Sequence, residues 1–282
     1  MSHVFEALRK SEVNVEDMDL QSPEAFFHII ENAPQLTSIP SVNAEITPES
    51  RLAVWDNPHS LAADRYRLLR IHLDKLQGSG KFRSLLLTSA SAQDGKTTVT
   101  LNLAIALAIQ GKNKILVIEA DLRRPSMIRR LGLKPWGGLT DCLALGLEPF
   151  SAVRRIDPLG FYLLPAGHPA VNPTELLQSD RLTQIVQLFS GCFDWILIDS
   201  PPARPIADTL ALKPRVDACL VVARACKTPR EGVEAVIRQF GPEFVVGIVL
   251  NGVGSIEREC AEYYRKYYSP SKARNPATDA KA

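Results

Sequence analysis

Apolar residues in this chain gather in short continuous runs rather than in strict alternation. Runs near 84–89, 114–120, 160–165, 194–199, 218–224 and 244–250 predict strands. Runs of that length fit strands covered on both faces, as in a parallel sheet. Between them, apolar positions recur at helical spacing near 97–110, 172–190 and 228–240, with shorter helices after Arg124 and near 207–213. The alternation predicts an α/β fold with a mostly parallel central sheet flanked by helices. Ligands of such sheets bind at the carboxyl ends of the strands.

Ahead of this core, 58–77 predicts a helix with Leu61, Leu69, Leu73 and Leu76 on one side. Arg67 and Arg70 lie off that line, free to meet carboxylates or simply solvated. Residues 1–57 are less regular, with helical pieces near 3–11, 23–31 and 47–54, and read as a mobile extension or docking arm. The chain therefore divides into an extension (1–57), a core domain (58–260) and a tail (261–282).

The chemistry starts where the first long strand meets its helix. Gly95, Lys96, Thr97 and Thr98 follow Gln93 and Asp94 at that junction. Backbone N–H groups and a helix N-terminus converge there on an anion, which is how phosphates are held. The pattern departs from a full phosphate loop, because Ala90 stands where glycine would precede the Gly-Lys pair. Glu119 and Asp121 follow the second strand, two residues apart and so on one face of an extended chain. Such carboxylates suit Mg²⁺ or the activation of a hydroxyl. Asp199 ends a third strand, in FDWILIDSPP, and with the Thr97 hydroxyl would serve the ion of a Mg²⁺-nucleotide.

Four tyrosines, Tyr263, Tyr264, Tyr267 and Tyr268, crowd the tail. Their spacing would stack them on a helix face as apolar anchors. A Ser, Pro, Lys and Asp-rich end follows, of the composition of disordered termini.

In combination, SxxxxDGKTT, hhhExDxRRP and hhhDSPP (h, apolar) resemble the bacterial tyrosine kinases, a branch of the deviant-Walker P-loop ATPases. GGLTDCL (137–143), LLPAGHPAVNPTELLQS (163–179) and DRYRLLR (64–70) extend the resemblance. It implies a P-loop nucleotide-binding fold and ATP with Mg²⁺ as cofactors. Asp94, Gly95, Lys96, Thr97, Thr98 and Asn251 would bind nucleotide, Asn251 at the adenine. Thr97, Asp199 and Glu119 would serve the metal, and Lys96, Asp121, Asp199 and Glu119 catalysis. The tail tyrosines would be the phosphoacceptors, and Arg67 and Arg70 would join subunits into a ring. The implied activity is protein-tyrosine autophosphorylation regulating exopolysaccharide or capsule synthesis and export. A membrane-bound polysaccharide chain-length regulator would be the adaptor and activator. The alternative is a deviant-Walker ATPase without kinase activity, acting as a spatial regulator or a nucleotide-dependent scaffold.

Composition excludes little. A formal charge of +2 with scattered basic residues gives no nucleic-acid field. No apolar run is long enough to span a membrane, and the start does not read as a signal peptide. A cytoplasmic protein, peripheral at the inner membrane through its adaptor, is the expectation. Five cysteines, 142, 192, 219, 226 and 260, lack metal-ligand spacing.

Overall fold

All six predicted strands form, and they lie parallel to one another in one sheet. The computed structural model describes residues 36–253, apart from 79, 81, 110, 112 and 205–206. The strands are β2 (Ser84–Ser89), β3 (Ile115–Glu119), β5 (Phe161–Leu164), β6 (Trp195–Asp199), β7 (Ala218–Arg224) and β8 (Val245–Asn251). Two short ones escaped the reading: β1 (Ser41–Asn43) and β4 (Arg154–Asp157). The sheet order is β1-β4-β5-β3-β6-β2-β7-β8. β4 runs antiparallel to β5, and β1 pairs parallel to β4 at the edge. An Arg-Arg-Ile-Asp strand of which only Ile156 is buried carries no apolar run to find.

The helices of more than one turn are α1 (Leu61–Gln77), α2 (Lys96–Ala108), α3 (Leu139–Leu145), α4 (Pro173–Gln178), α5 (Asp180–Ser190), α6 (Asp208–Leu212) and α7 (Arg230–Phe240). The helix predicted over 172–190 is two. Ser179 between them is extended (φ −66°, ψ 147°), so α4 stops and α5 restarts. α3 was not predicted.

Helices on both faces bury the central strands of the sheet. Every residue of β2 is buried: Leu86 joins the core on one side, Leu85 and Leu87 the core on the other. This two-sided cover explains the continuous runs. α2 is buried almost all round, between the sheet, α1 and the segment before α1. Of the two readings for 1–57, a mobile extension or a docking arm, this described part is docked on the core. Leu52 and Val54 are buried, and the Asn102 amide of α2 donates to Arg51 O at 2.9 Å while its oxygen accepts from Val54 N at 3.1 Å. The anchoring amide sits 48 residues downstream, out of reach of local pattern reading. The pieces predicted near 3–11 and 23–31 lie outside the described residues.

Ser60 caps α1 by accepting from Ala63 N at 3.1 Å. The two arginines read as free to meet carboxylates do so within α1, Arg67 with Asp64 and Arg70 with Asp74 at 3.8 Å. Arg67 pairs with Asp64 and donates to Pro58 O. Arg70 reaches Ala106 O near the end of α2 at 3.2 Å, where carbonyls lack helical partners. Among the described residues, no helix is long and apolar enough to cross a membrane.

Candidate nucleotide site

β2 delivers the chain to a loop that turns back into α2. Gly95 makes the turn possible with φ +95°, and a Cβ there would lie 2.0 Å from Asn251 Nδ2. Gln93, two residues earlier, also has positive φ (65°), where only glycine is free of strain. Its carbonyl accepts from Arg224 Nη1 at 3.2 Å, so the end of β7 holds the loop in this form. Asp94 is buried and turned inward. Its carboxylate accepts from Ser91 N (3.0 Å) and Thr228 Oγ1 (2.8 Å), and its carbonyl from Asn251 Nδ2 (2.9 Å). Asp94 thus shapes the loop, and Asn251, ending β8, braces its rim.

Lys96 opens α2 and is buried, with Nζ donating to Ser89 Oγ at 3.1 Å. Burial pushes its pKa down, opposed by the carboxylates of Asp199, Asp121 and Asp94. Thr97 donates its hydroxyl to Asp199 Oδ2 at 2.7 Å, and Thr100, one turn on, lies 3.4 Å from Oδ1. Thr100 was not foreseen; its place three residues after Thr97 on one helix face was the available signal. Burial pushes the Asp199 carboxyl up to about 7, against the pull of Thr97 and Lys96.

Parallel register sets Glu119 of β3 directly beside Asp199 of β6. The Glu119 oxygens are already taken up by backbone. Oε1 accepts from Ser126 N (2.6 Å) and Met127 N (2.8 Å), and Oε2 from Ala166 N (3.2 Å). Burial raises its pKa, and these three N–H groups work the other way. Glu119 ties β3 to the loop after it and to the end of β5. Asp121 is half-buried at the mouth of the sheet and accepts from Arg124 N at 3.0 Å. The structure therefore gathers Lys96, Thr97, Asp199, Glu119 and Asp121 at one end of the sheet, from three separate strand ends.

Two neighbouring features were not read as site chemistry. Arg123 Nε donates to the buried Asp208 at 2.6 Å, and Thr174 bonds the same carboxylate, tying α4 and α6 to the loop after β3. Arg130 lies beside the first turn of α2, with Nη1 3.3 Å from Thr98 Oγ1. GGLTDCL and LLPAGHPAVNPTELLQS also meet. His168 Nδ1 lies 2.7 Å from Asp141 Oδ1, and Gly138 N donates to Asp141 Oδ2 at 2.7 Å. A Cβ on Gly138 would come within 2.2 Å of Pro165 O, so glycine is required for that close approach.

The donor set fits Mg²⁺ bound together with phosphate. A hydroxyl and a carboxylate stand side by side as hard oxygen donors. Among the described residues, no cluster of three or more His, Cys, Asp or Glu could hold a metal alone. Mg²⁺ typically takes one or two carboxylates and lets substrate phosphates complete its shell. The tyrosines Tyr263, Tyr264, Tyr267 and Tyr268 lie outside the described residues.

Comparison with known proteins meets this geometry from another side. No family model matches the chain. The tyrosine-protein kinase Wzc of Salmonella typhi is 31% identical over 229 residues, covering 79% of this chain and 32% of Wzc. The chain thus spans about a third of the length of that relative. The tyrosine-protein kinase YwqD of Bacillus subtilis is 32% identical over 174 residues, covering 62% of this chain and 73% of YwqD. The kinase domain of Escherichia coli tyrosine kinase Etk superposes with a TM-score of 0.69 at 28% identity, covering 80% of this chain and 86% of that domain. Matched through most of YwqD and built on the same fold as the Etk kinase domain, the chain belongs to the bacterial tyrosine kinase family of P-loop ATPases.

Proposed function

We propose that this chain is an ATP-dependent protein-tyrosine autokinase that regulates exopolysaccharide or capsule synthesis and export. The observation that carries the reading is the Thr97 hydroxyl on the Asp199 carboxylate at 2.7 Å, beside a buried lysine at the mouth of the sheet. Phosphoryl transfer asks mainly for positioning and for compensation of charge on the phosphate oxygens. Lys96 and the N–H groups from Gly95 to Thr98 are assigned to hold the phosphates, and Asn251 to border the adenine. Thr97 and Asp199 are assigned to hold Mg²⁺, with Glu119 behind them. When bound, Mg²⁺ supplies neutralisation of phosphate charge. Asp121 is the carboxylate least committed to internal bonds, and it is assigned to take the proton of the incoming tyrosine hydroxyl. The acceptors are Tyr263, Tyr264, Tyr267 and Tyr268 of a neighbouring copy.

Partners follow the same proposal: a membrane-bound polysaccharide chain-length regulator, at the inner face of the membrane, and further copies of the chain. α1 offers a surface for self-association, because Leu68 and Ile71 are about half exposed on it beside Arg67. Replacing both apolar residues with Asp is expected to lower the mass seen by light scattering while leaving the subunit folded. Arg70→Ala is expected instead to destabilise the subunit, by about 1–2 kcal/mol in urea unfolding, because it strips Ala106 O of its donor. Unchanged mass for the Leu68/Ile71 variant of an oligomeric parent would remove α1 from the interface.

One observation favours the alternative of a nucleotide-dependent scaffold or spatial regulator. Glu119 is spent on backbone N–H groups, leaving Asp199, held by the Thr97 and Thr100 hydroxyls, as the buried carboxylate open to an ion. Incubating the protein with ATP and Mg²⁺ and mapping phosphotyrosine by mass spectrometry separates the two. Nucleotide hydrolysis without phosphotyrosine, with the adaptor present, would establish the alternative.

A further inference from the structure

β8 is an edge strand whose core-side face is left partly uncovered. Its register on β7 pairs Ile248 with Val221 and Leu250 with Ala223, so these residues project from the same face of the sheet. Val221 and Ala223 are buried, whereas Ile248 and Leu250 are 52% and 58% exposed. α7 accounts for the difference. Its buried Val236 and Phe240 join the cluster that holds Val221, and that cluster reaches Val245 at the start of β8 but not Ile248 and Leu250. Among the described residues, an apolar strip therefore continues the core to the surface at the last strand, with an unpaired strand edge beside it.

The chain itself supplies a matching segment. β8 ends at Asn251, the described residues end at Val253, and the sequence continues from 254. Ile256, Cys260, Tyr263, Tyr264 and Tyr267 recur at i, i+4, i+7, i+8 and i+11, one face of a helix, with Glu257, Arg258, Glu259, Glu262, Arg265 and Lys266 between them. Residues 256–267 as a helix would span about 18 Å. The seven residues of β8 span about 23 Å. The few residues after Asn251, which include Gly252 with φ +72° and Gly254, allow the chain to reverse along the strand it has just left.

We propose that the segment Ile256–Tyr267 docks as an amphipathic helix on the exposed Ile248 and Leu250 strip of its own subunit, burying the rings of Tyr263 and Tyr267. The regulatory consequence rests on the autokinase reading. A docked tyrosine cannot enter a neighbour's site. Transfer of the γ-phosphoryl of ATP to the tyrosine oxygen releases ADP and the hydroxyl proton and leaves a phosphate of charge about −2. Such a group cannot return to an apolar strip. Docking and phosphorylation then exclude each other, and the tail stays released once modified.

The test uses the full chain without nucleotide. Hydrogen exchange read by mass spectrometry is expected to show residues 256–267 protected at least about tenfold over an unstructured peptide. The Ile248→Asp, Leu250→Asp double variant, whose changes are on the surface, should lose that protection while β2 and β3 keep theirs. Nitration of Tyr263 and Tyr267 by tetranitromethane should be several-fold faster in the variant. Exchange at the unstructured rate in the parent overturns the proposal, and so does protection that survives in the variant. Protection that grows with protein concentration would make a second copy the occupant and overturn it as well. Neither readout depends on ATP, so failure of the kinase reading would leave the docking result standing.

Discussion

Lys96→Ala is expected to reduce ATP turnover and phosphotyrosine formation by at least about 10²–10³-fold, the usual cost of removing one preorganised charge from a phosphoryl or oxyanion site. The fold should survive. Lys96 is buried, but among the described residues its ammonium bonds only to Ser89 Oγ, and its stem opens a helix that is buried almost all round. Losing the cation also pushes the neighbouring Asp199 further toward its neutral form, so no uncompensated charge is left behind. Circular dichroism and urea unfolding check the fold, and a coupled ADP assay checks turnover. Turnover within a few fold of the parent would remove Lys96 from the phosphate site. A tail-intact Lys96→Ala chain should still accept phosphate from an active copy, because the acceptor residues lie elsewhere in the sequence.

Asp199→Asn should be the second large effect, and it should act on binding. The amide can still accept from Thr97 but carries no charge for Mg²⁺, so Mg²⁺-dependent nucleotide affinity should fall by roughly 10²-fold or more. Asp121→Asn should leave affinity within a few fold and slow phosphotransfer. Calorimetric titration of Mg·ATP beside a single-turnover assay distinguishes the pair, and equal binding defects would show the two roles to be wrongly divided. The pH dependence gives Asp199 a second signature. Its carboxyl is raised by burial from 3.8 to about 7 in the folded chain. A raised carboxyl contributes stability that is fully present below about pH 4 and is lost as pH rises through about 7. The ligand-free parent should therefore be less stable at pH 8 than at pH 5 through this group, by roughly 2–4 kcal/mol. The Asn variant should lose that dependence and exceed the parent at pH 8. Mg²⁺-nucleotide needs the ionised form, so its affinity for the parent should rise between about pH 6 and 8 with uptake of ligand coupled to proton release. A flat profile would mean that Asp199 is ionised throughout.

On the proposed role, the stability lost at this buried carboxylate and its hold on a cation come from one placement. Asp199 sits in a fully covered strand where a hydrocarbon would be more stable, and the same cover strengthens its hold on any cation that enters.

Six strands, the glycine turn from β2 into α2 and the carboxylates at the strand ends were legible in the sequence, because each depends on nearby residues. A strand covered on both faces must be apolar throughout, and a phosphate loop must join such a strand to a helix through glycine. What escaped the sequence depends on partners far along the chain. β1 and β4 are too short and too polar to show as apolar runs, and they exist because each pairs with a neighbour. The segment around Leu52 and Val54 reads as an arm until Asn102 and the α2 surface receive it. Arg67 stays at the surface with Asp64 and Pro58, whereas Arg70 is packed against α2 and bonded to Ala106 O, which the pattern of α1 alone does not distinguish. Glu119 is the sharpest case. Its position beside Asp199 follows from strand register, while its commitment to Ser126, Met127 and Ala166 required the return of two other stretches of chain to the same point. Local pattern determined which chemical groups stand at the strand ends. Tertiary packing decided which of them remain free to act, because a buried polar group is claimed by whatever donor or acceptor the fold brings to it.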